Sequence, residues 1–440
     1  MTPITRRKFI GKTALATLAA SSFSTPFIRS VRAGEPGPND KIRLGVIGCG
    51  GMGQVDLTDF TANQDVDCVV ICDLDDARLA KGLEICAKAG RKAPATEKEF
   101  RRVLDRKDID AVLIATPDHW HALPAVMAAQ AGKDIYVEKP LAKTIDEGRA
   151  MVEAVKRHNR IAQMGSQWRS CAHIIEAAEL VRSGKLGKVS LVRGWAYLDW
   201  LPTVGHKPDC AAPEGIDYNR WLGPAPKRAF NPNRFHFNFR WFWDYAGGLM
   251  TDWGVHLINM QQMGMGLDAP KTVSSCGGKF TFDDDSETPD SQITVYEFPT
   301  YQMVWEHRAG LNNGLHGRSW GVQWSGTEGT IILNDTGYEI IAEKKGEKLD
   351  SGKKASKGNP HPAHVRNFLD CVKSRKQPVL NLETGQHVST LAHLGNIAYR
   401  TGRKIVWDGV AEKVVGDHAA DKLVGVTYRK PWHLPYTRRG

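Results

Sequence analysis

Three glycines in the pattern Gly48-x-Gly50-x-x-Gly53 follow an apolar run at 42–47 and open a stretch of helical character at 54–62. No other feature restricts the fold as strongly. Glycine here permits a tight strand-to-helix turn and close backbone approach of a ligand. It also leaves the helix N-terminus facing that ligand, which favours an anion. Alone, the pattern is weak, because glycine-rich turns are common. Asp73 strengthens it by closing a second apolar run, 66–72, twenty residues beyond Gly53. A carboxylate there accepts hydrogen bonds from both hydroxyls of an adenosine ribose and repels a 2′-phosphate. Gly48, Gly50, Gly51, Met52, Gly53 and Asp73 therefore predict a site for NAD rather than NADP. The plainer alternative is a glycine-rich turn in a flavodoxin-like sheet that holds no nucleotide.

Further apolar runs at 111–115, 134–137 and 161–164 read as strands, and 75–89, 123–131 and 145–158 carry helical periodicity. Such alternation predicts a doubly wound parallel sheet over residues 41–165. Beyond Arg182 the character changes. Residues 189–199, 272–282, 291–308, 319–333 and 338–343 are strand-like, rich in β-branched and aromatic side chains, and punctuated by Gly, Asn and Asp. With helices expected at 362–375 and 384–401, they predict an α+β domain around a mostly antiparallel open sheet, spanning 166–408. The Lys-rich stretch 346–358 reads as a solvated loop. Residues 409–440 form an extension that either wraps a domain edge or a neighbouring subunit, or frays.

The chain carries 59 Lys+Arg against 49 Asp+Glu, a formal charge of +10. Nucleic acid or an anionic membrane would suit that charge. Six of the basic residues, Arg6, Arg7, Lys8, Lys12, Arg29 and Arg32, lie in residues 1–33, which hold no Asp or Glu, so 10 − 6 leaves +4 beyond them. Thr5-Arg6-Arg7-Lys8-Phe9-Ile10, a small apolar stretch at 13–20 and Val31-Arg32-Ala33 have the build of a signal peptide. They resemble the bacterial twin-arginine export signal, a receptor-read address rather than an anchor. Cleavage after Ala33, a linker at 34–40 and a periplasmic or otherwise exported location are expected; a basic arm or an uncleaved tether are the alternatives. No apolar run reaches the ~18 residues of a transmembrane helix, so stable membrane insertion is not expected. The remaining basic residues are too dispersed for nucleic acid. Eight scattered Cys form no Cys-x-x-Cys pair, so metal-ligand spacing is absent.

Three more motifs carry chemistry. The strand at 111–115 runs into Thr116-Pro117-Asp118-His119-Trp120-His121 and that at 134–137 into Glu138-Lys139-Pro140. The second domain holds Gly247-Gly248-Leu249-Met250-Thr251-Asp252-Trp253-Gly254-Val255-His256. Hydride removal from a secondary alcohol needs a base for the hydroxyl proton and a cation near the developing alkoxide. Lys139 sits at the carboxyl end of a parallel strand, where open α/β sheets place ligands. Asp252 and His256 share one face if 251–262 is helical. A surface ion pair at Glu138-Lys139, a structural pair or half of a metal site at Asp252/His256, and loop capping by His119 and His121 are the other readings. No third metal ligand is identifiable, and no metal is expected.

Together with the glycine fingerprint, these motifs resemble the glucose–fructose oxidoreductase/inositol dehydrogenase (Gfo/Idh/MocA) family over roughly residues 41–408. The resemblance implies a Rossmann domain followed by an antiparallel substrate domain. It implies NAD held also by Thr116, Pro117, Asp118, His119, Trp120, His121, Glu138, Lys139 and Gln167. It gives Lys139 the role of polarising or orienting the hydroxyl, His256 that of base, and Asp252 that of holding the substrate or tuning its neighbours.

Residues 195–253 concentrate aromatic side chains, among them Tyr197, Phe237, Phe239 and Trp241, interleaved with His206, His236 and Arg240. Aromatic faces with hydrogen-bonding neighbours suit a sugar, although a packed insertion or subunit interface would look the same. Arg169, Tyr197, His206, Arg240, Trp241, Asp252 and His256 are the candidate substrate contacts. The expectation is an exported NAD-dependent oxidoreductase acting on a secondary hydroxyl of a sugar, polyol or glycoside. It would hold its nicotinamide cofactor tightly and assemble as a homodimer or homotetramer. A redox glycosidase or lyase acting through a transient keto-sugar is the alternative, and a non-catalytic sugar-binding protein the third. In the family's NAD-dependent α-N-acetylgalactosaminidase branch the lysine of Glu-Lys-Pro is replaced, so the intact motif here favours the first.

Overall fold

Short strands made of consecutive apolar residues can satisfy their backbone only by burial between neighbours, and that is where these lie. The computed structural model describes residues 40–343, 351–356 and 358–437. The signal segment expected at 1–33, its cleavage point, all but Asp40 of the linker, and 346–350 and 357 of the expected loop fall outside them. Strands β1 (Ile42–Ile47), β2 (Val66–Cys72), β3 (Ala95–Glu97), β4 (Ala111–Ile114), β5 (Asp134–Glu138) and β6 (Ala162–Gly165) form a parallel sheet in the order β3-β2-β1-β4-β5-β6. Helices α1 (Gly51–Ala62), α2 (Asp76–Lys88), α3 (Phe100–Asp105), α4 (Ala122–Gln130) and α5 (Ile145–Arg157) connect them. The strand order reverses between β1 and β4, which opens a crevice at their carboxyl ends. All of β4 and β5 is buried. The short β3 and α3 carry no periodicity long enough to read from sequence.

The second domain holds α6 (Ala172–Arg182), β7 (Val189–Leu198), α7 (Tyr218–Leu222), α8 (Gly248–Met265), β8 (Thr272–Gly278), β9 (Ser291–Glu297), β10 (Gln302–Ala309), β11 (Trp320–Gly326), β12 (Gly329–Asn334), β13 (Gly337–Ala342), β14 (Gly352–Ala355), α9 (His361–Ser374), α10 (Leu382–Thr401), β15 (Ile405–Asp408), β16 (Lys413–Val414) and α11 (His418–Asp421). Its sheet runs β14-β13-β12-β11-β7-β10-β9-β8-β15-β16. Only β7 and β10 pair in parallel. The apolar runs 291–308 and 319–333 are each two strands rather than one. In the first, the chain reverses where Phe298 and Tyr301 stack at 4.4 Å. Residues 352–355 correct the loop expected at 346–358: they pair with β13 as an edge strand. Lysines suit such an edge because they discourage further pairing, and they carry no apolar alternation to read.

Helices α8 and α10 cover one face of this sheet. Helix α9 reaches the first domain, where Phe368 meets Phe60 and Tyr136 edge-on. Residues 409–437 do not fray. Glu412 accepts two bonds from Arg149. Arg429 donates to the carbonyls of Gly223 and Ala225, next to α7. Trp432 packs edge-on against Trp120 at 4.9 Å. All eight cysteines are free, six of them buried. Among the described residues, no helix is long and apolar enough to cross a membrane.

Candidate active site

The fingerprint glycines are there for space. Gly48 has φ +95°, and a Cβ on it would meet the Ala115 carbonyl oxygen at 2.6 Å. A Cβ on Gly53 would meet Gly48 O at 2.2 Å, so α1 lies directly on the turn. Above Gly51, the first residue of α1, nothing lies within 4 Å of that position. The free N–H groups of the helix start thus face an open cradle. At its other end Asp73 accepts from the N–H of Cys49 (2.7 Å) and of Asp75 (3.0 Å). Burial raises its pKa, and those two bonds oppose the rise.

A cavity of about 400 Å³ runs along the carboxyl ends of β1, β2, β4 and β5. Asp73, Asp75 and Arg78 line one end, Gly48 and Gly50 to Met52 the middle, and Asp118, Glu138, Lys139 and Arg240 the other. Thr116, Pro117, Trp120 and His121 complete that wall. The cradle over Gly51 and a carboxylate at the end of β2 fit NAD. Replacing Asp73 with Ala is expected to weaken NAD binding about tenfold, the loss of a charged hydrogen-bond pair. It should improve NADP binding, since Arg78 lines the same end. Titration of both nucleotides reads this; an unchanged NAD/NADP ratio would remove Asp73 from cofactor choice.

Gly53 and His119 stand behind the lining. His119 Nε2 lies 3.1 Å from the Trp221 carbonyl, which also accepts from Trp120 Nε1 at 2.8 Å. Burial pushes His119 down to about 3. His121 bridges the Pro140 and Thr116 carbonyls at 2.7 and 2.9 Å, and burial lowers it to about 4. Both rings therefore tie loops together, and His121 joins the turn after β4 to the turn after β5. Gln167, just past β6, has its side-chain oxygen buried without a hydrogen-bond partner.

Lys139 ends β5, and its Nζ donates to Asp252 Oδ1 at 2.5 Å and Asp252 O at 3.2 Å. Arg240 Nε lies 3.5 Å from the same carboxylate oxygen. Burial alone would raise the Asp252 carboxyl, yet these two cations hold it far below the carboxylate range. Burial pushes Asp118 up to about 7, with Arg240 and Lys139 pulling the other way. Arg240 is flanked by the rings of Phe237 and Phe239 at 4.6 and 4.9 Å. One turn beyond Asp252 on α8, His256 Nδ1 lies 2.9 Å from Ser166 Oγ. Burial and the Lys139 charge hold His256 well below its usual pKa, so it is a neutral imidazole at pH 7. Asp252 and His256 do not line the cavity themselves; Asp252 reaches it through Lys139 and Arg240.

Of the other candidates, Arg169 supports the site from behind: it donates to Asn259 Oδ1 (2.7 Å), whose amide reaches Ser166 Oγ (3.4 Å). Tyr197, His206 and Trp241 lie away from the cavity. Strand alternation puts Tyr197 opposite in sense to the buried Ala196 and Leu198, where it bonds Glu306. His206 is exposed and paired with Asp285. Trp241 is buried against a separate small pocket with Leu249 and Thr288. Reading the aromatic run as one surface missed that neighbours in it point different ways. The lining residues Ile216, Arg220, Trp221, Phe235 and His236 were not picked out as cofactor wall. His236 Nε2 is 3.1 Å from Asp75, but nothing in the local sequence places it there. Asp75 and Arg78 were legible in principle, as the N-cap of α2 just past Asp73 and the residue one turn beyond that cap. Among the described residues, no cluster of His, Cys, Asp and Glu is arranged to hold a metal.

Residues 42–166 match the domain described as oxidoreductase family, NAD-binding Rossmann fold. Residues 170–297 and 339–434 match the oxidoreductase family's C-terminal alpha/beta domain, which carries the match past residue 408. Levoglucosan dehydrogenase of Pseudarthrobacter phenanthrenivorans is 37% identical over 119 residues, 27% of this chain and 30% of that protein. A glycosyl hydrolase family 109 protein of Shewanella pealeana is 31% identical over 154 residues, 34% of each. The chain thus spans about a third of the length of these curated relatives. The structure of levoglucosan dehydrogenase in complex with NADH and levoglucosan superimposes with TM-score 0.65 at 20% identity, over 83% of this chain and 99% of that one. Aldose-aldose oxidoreductase from Caulobacter crescentus, complexed with glycerol, gives 0.63 at 21% identity, over 83% and 99%. At such identities the likeness speaks for the fold. The two domain matches, covering most of the chain in order, show that it belongs to the Gfo/Idh/MocA oxidoreductase family, with that family's NAD-binding Rossmann domain at its start.

Proposed function

We propose that this protein is an exported oxidoreductase that moves a hydride between a tightly held NAD and a secondary hydroxyl of a sugar, polyol or glycoside. The observation that carries this is Lys139: a cation on the cavity wall at the end of β5, fixed by Asp252, with a neutral His256 one turn further along α8. NAD, held by Gly50 to Met52 and Asp73, supplies the hydride acceptor. Alcohol oxidation also sheds a proton and builds negative charge on oxygen. The Lys139 ammonium stabilises that charge, and the carboxylate of Asp252 holds it in place. His256 is the unprotonated base to which the hydroxyl proton passes. Arg240, braced by Phe237 and Phe239, presents a rigid set of donors to sugar hydroxyls. Levoglucosan in the name of one relative supports a carbohydrate substrate.

The sequence match to a family 109 glycosyl hydrolase keeps a redox-neutral glycosidase as the second reading. The purified protein, read in the NADH absorbance band, separates them when free sugars, levoglucosan and aryl glycosides are added. Stoichiometric NADH without aglycone release supports the oxidoreductase; aglycone without net NADH supports the glycosidase. A protein that neither retains nor binds NAD sinks both. Export rests on the twin-arginine reading of residues 5–10: Arg6→Lys with Arg7→Lys should leave the protein in the cytoplasm. Self-association as a homodimer or homotetramer belongs to the same proposal and is read by sedimentation.

A further inference from the structure

Behind Glu138 lies a polar cluster that the chemistry above does not use. Asp56 on α1 is fully buried, and neither of its carboxyl oxygens has a hydrogen-bond partner. Tyr136 Oη and Glu138 Oε1 on β5 and His361 Nε2 on α9 are likewise buried and without a hydrogen-bond partner. Burial without a partner costs ~1–3 kcal/mol for a neutral group and more for a charged one, so five such atoms in one cluster call for a reason. Gly165, opposite Glu138 in the β5–β6 register, makes the room: a Cβ there would sit 2.0 Å from Glu138 Oε1.

The groups connect the cavity to the outside. Glu138 lines the cavity, and its other oxygen accepts the N–H of Lys139 at 3.3 Å. His361 Nε2 lies 3.5 Å from Asp56 Oδ1, and His361 Nδ1 lies 2.7 Å from Asp59 Oδ2. The Asp59 side chain is 18% exposed, at the seam of α1 and α9. Asp56 faces Asp59 on its own helix, Glu138 and Tyr136 on β5, and His361 on α9; Glu138 also faces Lys139 and Arg240. Two buried carboxyls that feel each other's charge cannot both ionise cheaply. Burial first, then the Glu138 charge, raises Asp56 far above the carboxylate range, and burial brings Glu138 to about 7.

We propose that Glu138, Asp56, His361 and Asp59 form a proton exit from the reaction site to solvent. The proposal rests on the redox reading above. Each oxidation takes a hydride and a proton from the alcohol; the hydride leaves with the nicotinamide, and the proton must reach water. The first base hands it to Glu138, and Glu138 passes it to Asp56. Asp56 gives its own proton to His361 Nε2, and His361 sheds one from Nδ1 to Asp59, which releases it. Glu138, Asp56 and Asp59 end as they began; His361 ends with its proton on Nε2 rather than Nδ1, and a turn of the ring restores it. Asp56, His361 and Asp59 touch neither substrate nor cofactor, so they act on the rate of proton departure alone.

Asp56→Asn keeps the shape and cannot carry the proton. Infrared spectra of the NAD-bound protein at pH 7 should show a protonated-carboxyl band that Asp56→Asn removes; wild type lacking it overturns the proposal. With the sugar that reduces bound NAD in wild type, Asp56→Asn should lower kcat about tenfold, a modest share of a typical acid–base effect. KM should stay within about twofold, the pH profile should shift, and proton release to an indicator dye should lag behind NADH. His361→Ala should behave alike and regain rate with added imidazole. Unchanged kcat and synchronous proton release in Asp56→Asn would overturn the exit even with the band present, as would a loss in His361→Ala that imidazole leaves untouched. If no sugar reduces the wild-type cofactor, the functional proposal fails, and the infrared band still decides whether Asp56 stores a proton.

Discussion

Lys139→Ala is expected to retain NAD within about twofold of wild type and to slow hydride transfer by about a thousandfold. The two effects separate because of where the lysine sits. The groups expected to hold the dinucleotide, the Gly48–Gly53 turn and Asp73, lie at the ends of β1 and β2 and the start of α1. Lys139 comes from β5, and its ammonium is committed to Asp252. Truncation therefore removes the cation that meets the developing alkoxide and leaves the pyrophosphate cradle intact. Single-turnover reduction of bound NAD measures the rate, and the nucleotide content after gel filtration measures retention. Wild-type rates in the variant would take lysine out of the mechanism; lost NAD would move its role to cofactor binding. Lys139→Arg should recover little, since a planar fork cannot take the place of a compact ammonium held 2.5 Å from Asp252.

Asp252→Ala carries the second large effect, and it falls on stability as well as rate. It leaves Lys139 and Arg240 facing one another with their shared anion gone, in a setting where the side chains are only 10–20% exposed. Removing one partner of such a group costs ~3–5 kcal/mol, which urea unfolding at pH 7 would read as a lowered midpoint. The pH dependence has a definite sign. The folded-state pKa of Asp252 is depressed, so its contribution is full above the unfolded value of ~4 and fades as pH falls toward the folded value. Wild type and variant should thus converge in acid below about pH 4. A stability gap that stays constant from pH 7 into that range would show that the carboxylate charge is not its source.

What the sequence disclosed was local in origin. The glycine turn, Asp73, Lys139 and the Asp252/His256 spacing each lie within one strand-end or one helical turn, so their geometry follows from backbone periodicity alone. The parallel sheet follows in the same way, from alternation of apolar runs with helices; its strand order came from the structure. What stayed hidden depends on distant segments meeting. Arg220 and His236 arrive at the adenosine end from the second domain. Asp56, Glu138 and His361 come from positions up to 305 residues apart, 361 − 56. Tyr197 and Trp241 were misplaced for the opposite reason: membership of one aromatic run says nothing about which face each ring takes. Strand β14 escaped because an edge strand of lysines has no apolar face to announce it.

The C-terminal segment has a consequence for how the protein comes into being. Arg429 secures the carbonyls beside α7, and Trp432 backs Trp120; α7 and Trp120 both supply walls of the NAD cavity. A chain still emerging from the ribosome therefore has all of its Rossmann strands long before the cavity is complete. The cavity wall thus waits on residues some 380 positions after the glycine turn. NAD binding is therefore expected to depend on both domains and on the segment beyond residue 408, and not on the Rossmann strands alone.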